Sequence, residues 1–389
     1  MESVKERAWE AIRAHESELR ELAARILEHP ELGYAEEQAS AWVSEVLARH
    51  GFEVERPYGG LPTALRACRG SGSGPRVAFL AEYDALPGVG HGCGHNLIAA
   101  AAVGAALGVA AVLGQVDGDV CVIGTPAEEF LGQEEGKLKL LRAGAFEDVD
   151  VALMTHPFYD TCLQGSDLAF IACEFTFHGR TAHAAADPWN GANALDGLLL
   201  TFGNINALRQ HLRPEVRIHG FITEGGQAPN IIPERASARF MVRDRDPERL
   251  EQVFARVEDC ARAGALASGT RVDVSRVTKV YNTRVNRPLN QLIAANLTGL
   301  GEPLNPELRH SSGSTDFGNV SHVVPAAMFY IRTHPEGIPW HSAEVARASG
   351  EELALQGMLT SACALAGVAL DLVGDPTLLD RVREDFTRE

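Results

Sequence analysis

The chain has 389 residues, with 35 Lys and Arg against 52 Asp and Glu, a net charge of −17, 45% hydrophobic and 22% charged residues. That length accommodates two or three domains with a sizeable core, and the balance is that of a soluble globular protein rather than a disordered one. The acidic surplus, without any long Lys/Arg run, excludes an electrostatic nucleic-acid footprint and a polybasic membrane anchor, so neither nucleic acid nor a membrane is an expected partner.

The N-terminal segment Met1 to Glu16 is charged and helical in pattern, without an apolar signal core. Trp9, Ile12, Leu19, Leu22 and Ile26 recur at helical spacing, and His29-Pro30-Glu31-Leu32-Gly33 ends that segment. A second amphipathic helix carries Trp42, Val43, Val46 and Leu47 and stops at Gly51. Strand-like runs follow at Phe52–Glu55, Thr63–Cys68 and Arg76–Glu82. Leu97 to Gly114 is charge-free. It is Ala- and Gly-rich, lacks flanking Lys/Arg or an aromatic belt, and reads as a buried helix rather than a membrane span. Asp119–Thr125 and Val149–Thr155 are apolar runs suited to buried parallel strands, separated by a helix near Glu134–Ala145. This alternation predicts an α/β catalytic domain with a central, mostly parallel sheet covered by helices.

The pattern changes near Ser166. Phe170–His178, a helix over Ala192–Leu212, Val216–Thr223, Ala236–Arg243, a helix over Pro247–Ala267 and Thr270–Val280 give β-α-β-β-α-β, the order of a ferredoxin-like α+β domain. Helical character returns after Asn286, with a strand at Ala326–Ile331 and a final helix over Glu351–Val373. The expected organisation is a catalytic domain over 1–166 and 283–389, interrupted by an inserted lid and dimerisation domain over 167–282. The seven cysteines, Cys68, Cys93, Cys121, Cys162, Cys173, Cys260 and Cys363, follow no framework spacing. That fits a reducing, cytoplasmic setting better than a disulfide-stapled secreted fold.

Three strand ends carry chemistry. Glu82-Tyr83-Asp84 and His91-Gly92-Cys93-Gly94-His95-Asn96 follow the first buried strand, and the glycines let the backbone aim Cys93 and His95 at one point. Alone, that pair reads as well as a buried cysteine beside an incidental histidine. The next strand ends in Thr125-Pro126-Ala127-Glu128-Glu129, which alone reads as a solvated acidic turn. The third ends in Thr155-His156-Pro157, and Pro339-Trp340-His341-Ser342 supplies a further histidine. Together, thiol, imidazole and paired carboxylates at successive strand ends suit a borderline metal and hydrolysis, with one carboxylate as ligand and its neighbour taking a proton from water.

These motifs resemble the di-metal amidohydrolases of the aminoacylase, carboxypeptidase G and hippurate hydrolase superfamily. Glu82-Tyr83-Asp84-Ala85-Leu86-Pro87 and Gly313-Ser314-Thr315-Asp316-Phe317-Gly318 resemble most its Cys-containing branch, with p-aminobenzoyl-glutamate and β-alanyl-dipeptide hydrolases. The resemblance runs from about Glu21 to Val345 and includes His29-Pro30-Glu31-Leu32-Gly33. It implies two divalent ions per subunit (Zn²⁺, Mn²⁺ or Co²⁺), bridged by Cys93, with His95, Glu129, His156 and His341 completing the shells. Glu128 would be the general base for the bridging water and then protonate the leaving amine. Asp84 would orient site residues, since the superfamily's usual His-x-Asp here reads Glu82-Tyr83-Asp84. His91 reads as a supporting group beside the ligands.

The resemblance also implies a lid. In Gly179-Arg180-Thr181-Ala182-His183-Ala184, His183 would reach the partner subunit's site in a homodimer and donate to the oxyanion. Asn230, within Pro229–Pro233, and Arg243, within Met241–Arg243, would touch the substrate. Gly313, Ser314 and Thr315 offer N–H and hydroxyl donors for a substrate carboxylate, although serine stands where the carboxypeptidase branch commonly has glycine. The implied reaction is cleavage of the amide of a small N-acyl amino acid, an aminobenzoyl-glutamate-like compound or a dipeptide. The alternatives are a hydrolase with Cys93 as nucleophile and His95 or His156 as base, and a non-catalytic dimeric binding relative. The first leaves the Glu-Glu pair without a role; the second leaves every catalytic position filled to no purpose.

Overall fold

Period-two alternation along short apolar strands sets the architecture. The computed structural model describes residues 2–129 and 133–388. Its strands are β1 Glu53–Glu55, β2 Leu65–Gly70, β3 Arg76–Ala81, β4 Asp119–Gly124, β5 Val151–Phe158, β6 Cys162–Gln164, β7 Ala169–His178, β8 Arg217–Glu224, β9 Arg235–Asp244, β10 Arg271–Val280, β11 Asn305–Arg309 and β12 Ala326–Arg332. Eight form a sheet in the order β1-β2-β4-β3-β5-β12-β6-β11. Its centre, β4-β3-β5-β12, is parallel throughout.

Successive side chains leave opposite faces of this sheet. Val77, Phe79, Ala81, Val120, Val122, Val151 and Leu153 enter a core shared with the helices Glu16–Glu28, His95–Ala110 and Glu352–Gly374. Ala78, Leu80, Cys121, Ile123, Ala152 and Met154 enter the core on the other face, with Leu140, Phe146 and Phe317. The expected α/β arrangement, a central and mostly parallel sheet covered by helices, is the one observed. Two helices, over His95–Gln115 and Glu352–Gly374, are long and apolar enough to cross a membrane, but most of each is packed inside the fold, and they pack on one another. Close approach explains a glycine in the first of them: a Cβ at Gly108 would lie 2.6 Å from Ile12 Cδ1.

The smaller sheet is antiparallel, in the order β10-β7-β9-β8, the ferredoxin-like arrangement expected from its element order. The helices Ala194–Arg209 and Pro247–Ser268 back it over a core that includes Phe175, Phe177, Phe240 and Phe254. Both helices begin where side chains accept the first free amides: Asn193 from Leu195 and Asp196, and Asp246 from Glu248 and Arg249, with Pro247 at the first helical position. Strand β8 is an open edge with exposed Phe221 and Ile222.

Three features depart from the sequence reading. The helix Glu352–Gly374 is not the last; Pro376–Arg388 follows, and its Leu379 and Val382 enter the core. Strands β6 and β11, at one end of the larger sheet, have three and five residues, too short to leave a periodic signal. Cys68 and Cys121 form a disulfide, although the cysteine spacing predicts none. They stand directly opposite on antiparallel β2 and β4 with Cα atoms 4.1 Å apart, a register that their separation of 53 residues does not reveal.

Candidate metal centre and active site

The parallel strands β3, β4 and β5 open their carboxyl ends to one side, and the predicted chemistry collects there. Glu82–Asp84 follow β3, Thr125–Glu129 follow β4, and His156 lies near the end of β5. Two backbone features turn these segments inward. Gly94 has φ +72°, and a Cβ there would meet Pro157 Cγ at 2.9 Å, so the loop bearing Cys93 and His95 lies against the end of β5. Ala127 has φ +59°, uncommon for a residue with a side chain, and its N–H donates to Glu36 Oε1 at 2.8 Å. That turn sends Glu128 and Glu129 into the site.

The donors are already aimed. His95 is 1% exposed and donates through Nδ1 to Asp84 Oδ1 at 2.8 Å. Among the described residues its Nε2 has no hydrogen-bond partner, and it lies 3.4 Å from Glu82 Oε2. Asp84 Oδ2 accepts the Glu129 backbone N–H at 2.8 Å, so one carboxylate fixes two predicted ligands. His156 uses Nδ1 on the Pro157 carbonyl at 2.9 Å, which leaves Nε2 free. Cys93 Sγ donates to Glu129 Oε1 at 2.6 Å, and His341 Nε2 is 3.3 Å from the same oxygen. Donor atoms of Cys93, His95 and Glu129 form one group within 4.8 Å of one another; those of Glu82, His95 and His156 form a second. A buried, orphaned imidazole nitrogen among thiol and carboxylate donors is what a borderline divalent ion requires, and hydrogen bonds behind both imidazoles complete the fit.

Electrostatics separates the two adjacent glutamates. Burial, then Glu129, Glu82 and Asp316, pushes the Glu128 carboxyl well above the usual range. Burial acts on Glu129 the same way, but the His341 hydrogen bond and the charge of His95 outweigh it and hold Glu129 below that range. A proton-accepting group beside an ionised ligand is the acid–base division hydrolysis needs. Burial and then Glu129 push the Cys93 thiol well up, opposite to an activated nucleophile. Burial depresses His156, which favours the uncharged imidazole. His91 stands outside both donor groups: it is buried, its Nε2 donates to the Ile26 carbonyl at 3.0 Å, and burial and His95 lower it to about 4.

A cavity of about 440 Å³ opens on this centre, and Cys93, Glu128, Glu129, His156 and His341 all line it. Arg243 of β9 and the loop Gly313–Thr315 form part of its wall. Arg243 donates to Ser314 Oγ at 3.3 Å, and among the described residues it has no carboxylate partner. Asp84 and His95 sit behind the wall. His183 and Asn230 do not reach it; they are exposed on the smaller domain, where Ala184 N donates to the Asn230 carbonyl and His183 Nδ1 accepts from Ala185 and Ala186.

Sequence reasoning does not single out four residues that matter here: Glu36, Glu82 as a donor, Lys137 and Asp316. Lys137 is fully buried, with Nζ 2.6 Å from Glu82 Oε1 and 2.5 Å from Asp316 Oδ1. Glu82 and Asp316 stand inside recognised motifs, so their position is available as a signal. Glu36 and Lys137 lie on amphipathic stretches where a charged residue is ordinarily solvated, and nothing local marks them. A separate group, His15, Glu18 and His50, lies half-buried among the helices, and there Arg49 already pairs with Glu18 at 2.6 Å.

An α/β domain with an inserted ferredoxin-like domain, and thiol, imidazole and carboxylate donors converging at its strand ends, defines a hydrolase. The chain belongs to Peptidase family M20/M25/M40, whose family model matches residues 78–356. It is 41% identical over 410 residues to the Xaa-Arg dipeptidase of Mus musculus, covering 99% of this chain and 93% of the relative. It is 29% identical over 453 residues to one of the subunits of p-aminobenzoyl-glutamate hydrolase from Escherichia coli K12, covering 97% and 93%. The fold is shared with a dinuclear metal-binding M20 peptidase of Bacillus subtilis (TM-score 0.70, 20% identity, 93% of this chain and 99% of that one). It is also shared with an aminobenzoyl-glutamate utilization protein of Klebsiella pneumoniae (TM-score 0.72, 18% identity, 93% and 97%).

Proposed function

We propose that this peptidase is a metal-dependent amidohydrolase that cleaves a dipeptide, a small N-acyl amino acid or a p-aminobenzoyl-glutamate-like amide. The observation that carries the reading is the orphaned His95 Nε2 facing Cys93, Glu129 and Glu82, beside a Glu128 that favours its proton. The names of the mouse and Escherichia coli relatives, a dipeptidase and an aminobenzoyl-glutamate hydrolase, support that substrate group.

Cys93, His95, Glu129, His156 and His341 would hold two divalent ions, with Zn²⁺ and Mn²⁺ both suited to the donors. When bound, the ions supply Lewis acidity that polarises an amide carbonyl and acidifies water. Asp84 keeps the His95 ring and the Glu129 backbone in place. Glu128 takes the proton from the attacking water and returns it to the departing amine. Arg243, with the donors of Gly313, Ser314 and Thr315, receives the substrate's carboxylate. His183 and Asn230 act from the partner of a homodimer, His183 donating to the oxyanion. The open edge of β8 and exposed Phe221, Leu199 and Leu200 supply a surface on which the smaller domains would pair.

Nucleophilic attack by Cys93 is disfavoured because its thiol donates to a carboxylate, which opposes formation of a thiolate. The test is amine release from dipeptides, N-acetyl amino acids, hippurate and p-aminobenzoyl-glutamate, before and after chelation. Loss of cleavage with chelator and recovery with Mn²⁺ or Zn²⁺ is the expected result; cleavage indifferent to metal contradicts it.

A further inference from the structure

Lys137 is fully buried in a place where lysine is rarely found without a task. It stands in the first turn of the helix Gly136–Arg142, on the floor of the candidate centre. Its ammonium lies 2.6 Å from Glu82 Oε1 and 2.5 Å from Asp316 Oδ1, and its backbone N–H donates to Asp316 Oδ2 at 3.0 Å. All three side chains are fully shielded from solvent.

The surrounding charge makes the placement informative. Glu82, Glu128 and Asp316 bring carboxylate oxygens within 4.8 Å of one another, a group of the kind that could hold a cation. Among the described residues neither oxygen of Glu82 accepts a well-formed hydrogen bond, and the shortest compensating contact is the ion pair with Lys137. Buried carboxylates at this spacing need a positive charge among them. Of the three, Glu82 also faces His95 and His156 in the second donor group, and Asp316 directly follows the Gly313–Thr315 loop of the cavity wall. One ammonium thus ties the floor of the metal centre to the loop on which the substrate would rest.

We propose that Lys137 is a positioning residue that serves as a built-in cation, occupying the space among Glu82, Asp316 and Glu128 that a further divalent ion would take and so limiting the centre to two ions. No bond is made or broken at Lys137. Its charge is carried by the chain rather than drawn from solution, and it fixes Glu82 and Asp316 whether or not metal is bound. This inference rests on reading the centre as a two-metal site.

The test is metal stoichiometry on the full chain. Wild type, K137M and K137M/D316N are stripped with chelator, saturated with Mn²⁺, desalted and analysed for Mn per chain, with melting temperatures recorded with and without Mn²⁺. The expected results are two ions for wild type, a third for K137M with a larger Mn²⁺-induced rise in melting temperature, and a return to two for the double variant. A K137M chain that folds only when Mn²⁺ is supplied supports the same conclusion, because the ion has replaced the ammonium. K137M that folds and binds two ions with a wild-type rise in melting temperature overturns the proposal. So does K137M that stays unfolded at saturating Mn²⁺, or a third ion in wild type. Wild type that binds no Mn²⁺ or Zn²⁺ overturns the two-metal reading itself, a result distinct from the other failures.

Discussion

His95 and His183 are expected to act on the same substrate, yet they are held in opposite ways. His95 is 1% exposed, its ring fixed by Asp84 and its free nitrogen aimed at the donors around it. His183 is exposed, and among the described residues its Nδ1 accepts from two amides of its own loop. The same contrast runs through their neighbourhoods. The centre on the larger sheet is oriented in advance by Asp84, Glu36, Gly94 and Lys137, whereas the lid residues are presented on a separate small domain. Pre-orientation within one chain marks groups that hold charge permanently. On the proposed reading, groups left exposed on a separate domain are the ones that a second subunit brings to a site.

The sharpest way to break this comparison is at Glu128. Glu128→Gln removes the proton acceptor without touching a predicted ligand, and kcat is expected to fall ~10²–10⁴-fold with metal content unchanged. Ordinary turnover by the metallated variant would remove Glu128 from its role. Next is His183→Ala, expected to lower kcat by ~10²–10³-fold while melting temperature and metal content stay at wild-type values. Mixing H183A with E128Q chains then separates the two regions: exchange of subunits rebuilds one site with both groups intact only if His183 acts across a dimer. No recovery of activity would place His183 in its own subunit or outside catalysis.

A smaller effect is expected behind the ligands. Asp84→Asn loses the charged acceptor of the His95 ring and weakens metal affinity ~10–100-fold, read from the Mn²⁺ concentration that restores activity to stripped enzyme. Unchanged affinity would show that His95 does not depend on it. The smallest effect concerns Glu36, whose carboxyl is pushed up to about 7 by burial and by Asp84. A raised folded-state value means that its contribution to stability is full below the unfolded value of about 4.5 and is lost as pH rises through about 7. Glu36→Gln, which cannot ionise, is expected to flatten that part of the pH–stability curve, by at most a few kcal/mol. Parallel curves for the two proteins would count against it.

How much is legible in the sequence follows the same division. Strands β3, β4 and β5 and the ferredoxin-like order can be read because buried parallel strands are continuous apolar runs and half-exposed ones alternate. The proposed metal donors can be read because they sit at strand ends in recognisable motifs. Strands β6 and β11 are too short for periodicity, and Pro376–Arg388 is so rich in charge that only Leu379 and Val382 betray its inner face. The Cys68–Cys121 pairing depends on the register of β2 and β4, which no spacing encodes. Lys137 and Glu36 escape a sequence reading because their partners are far along the chain: Asp316 is 179 residues from Lys137, and Ala127 is 91 from Glu36. A charged residue without a local partner reads as solvated until the fold supplies one.

The most direct measurement is amine release and metal content on the same sample of purified protein, across a panel of dipeptides, N-acetyl amino acids, hippurate and p-aminobenzoyl-glutamate. The account predicts two divalent ions per chain, cleavage of at least one of these amides, loss of cleavage on chelation and its return with Mn²⁺ or Zn²⁺. Cleavage by metal-free protein, abolished instead by alkylation of Cys93, would contradict it.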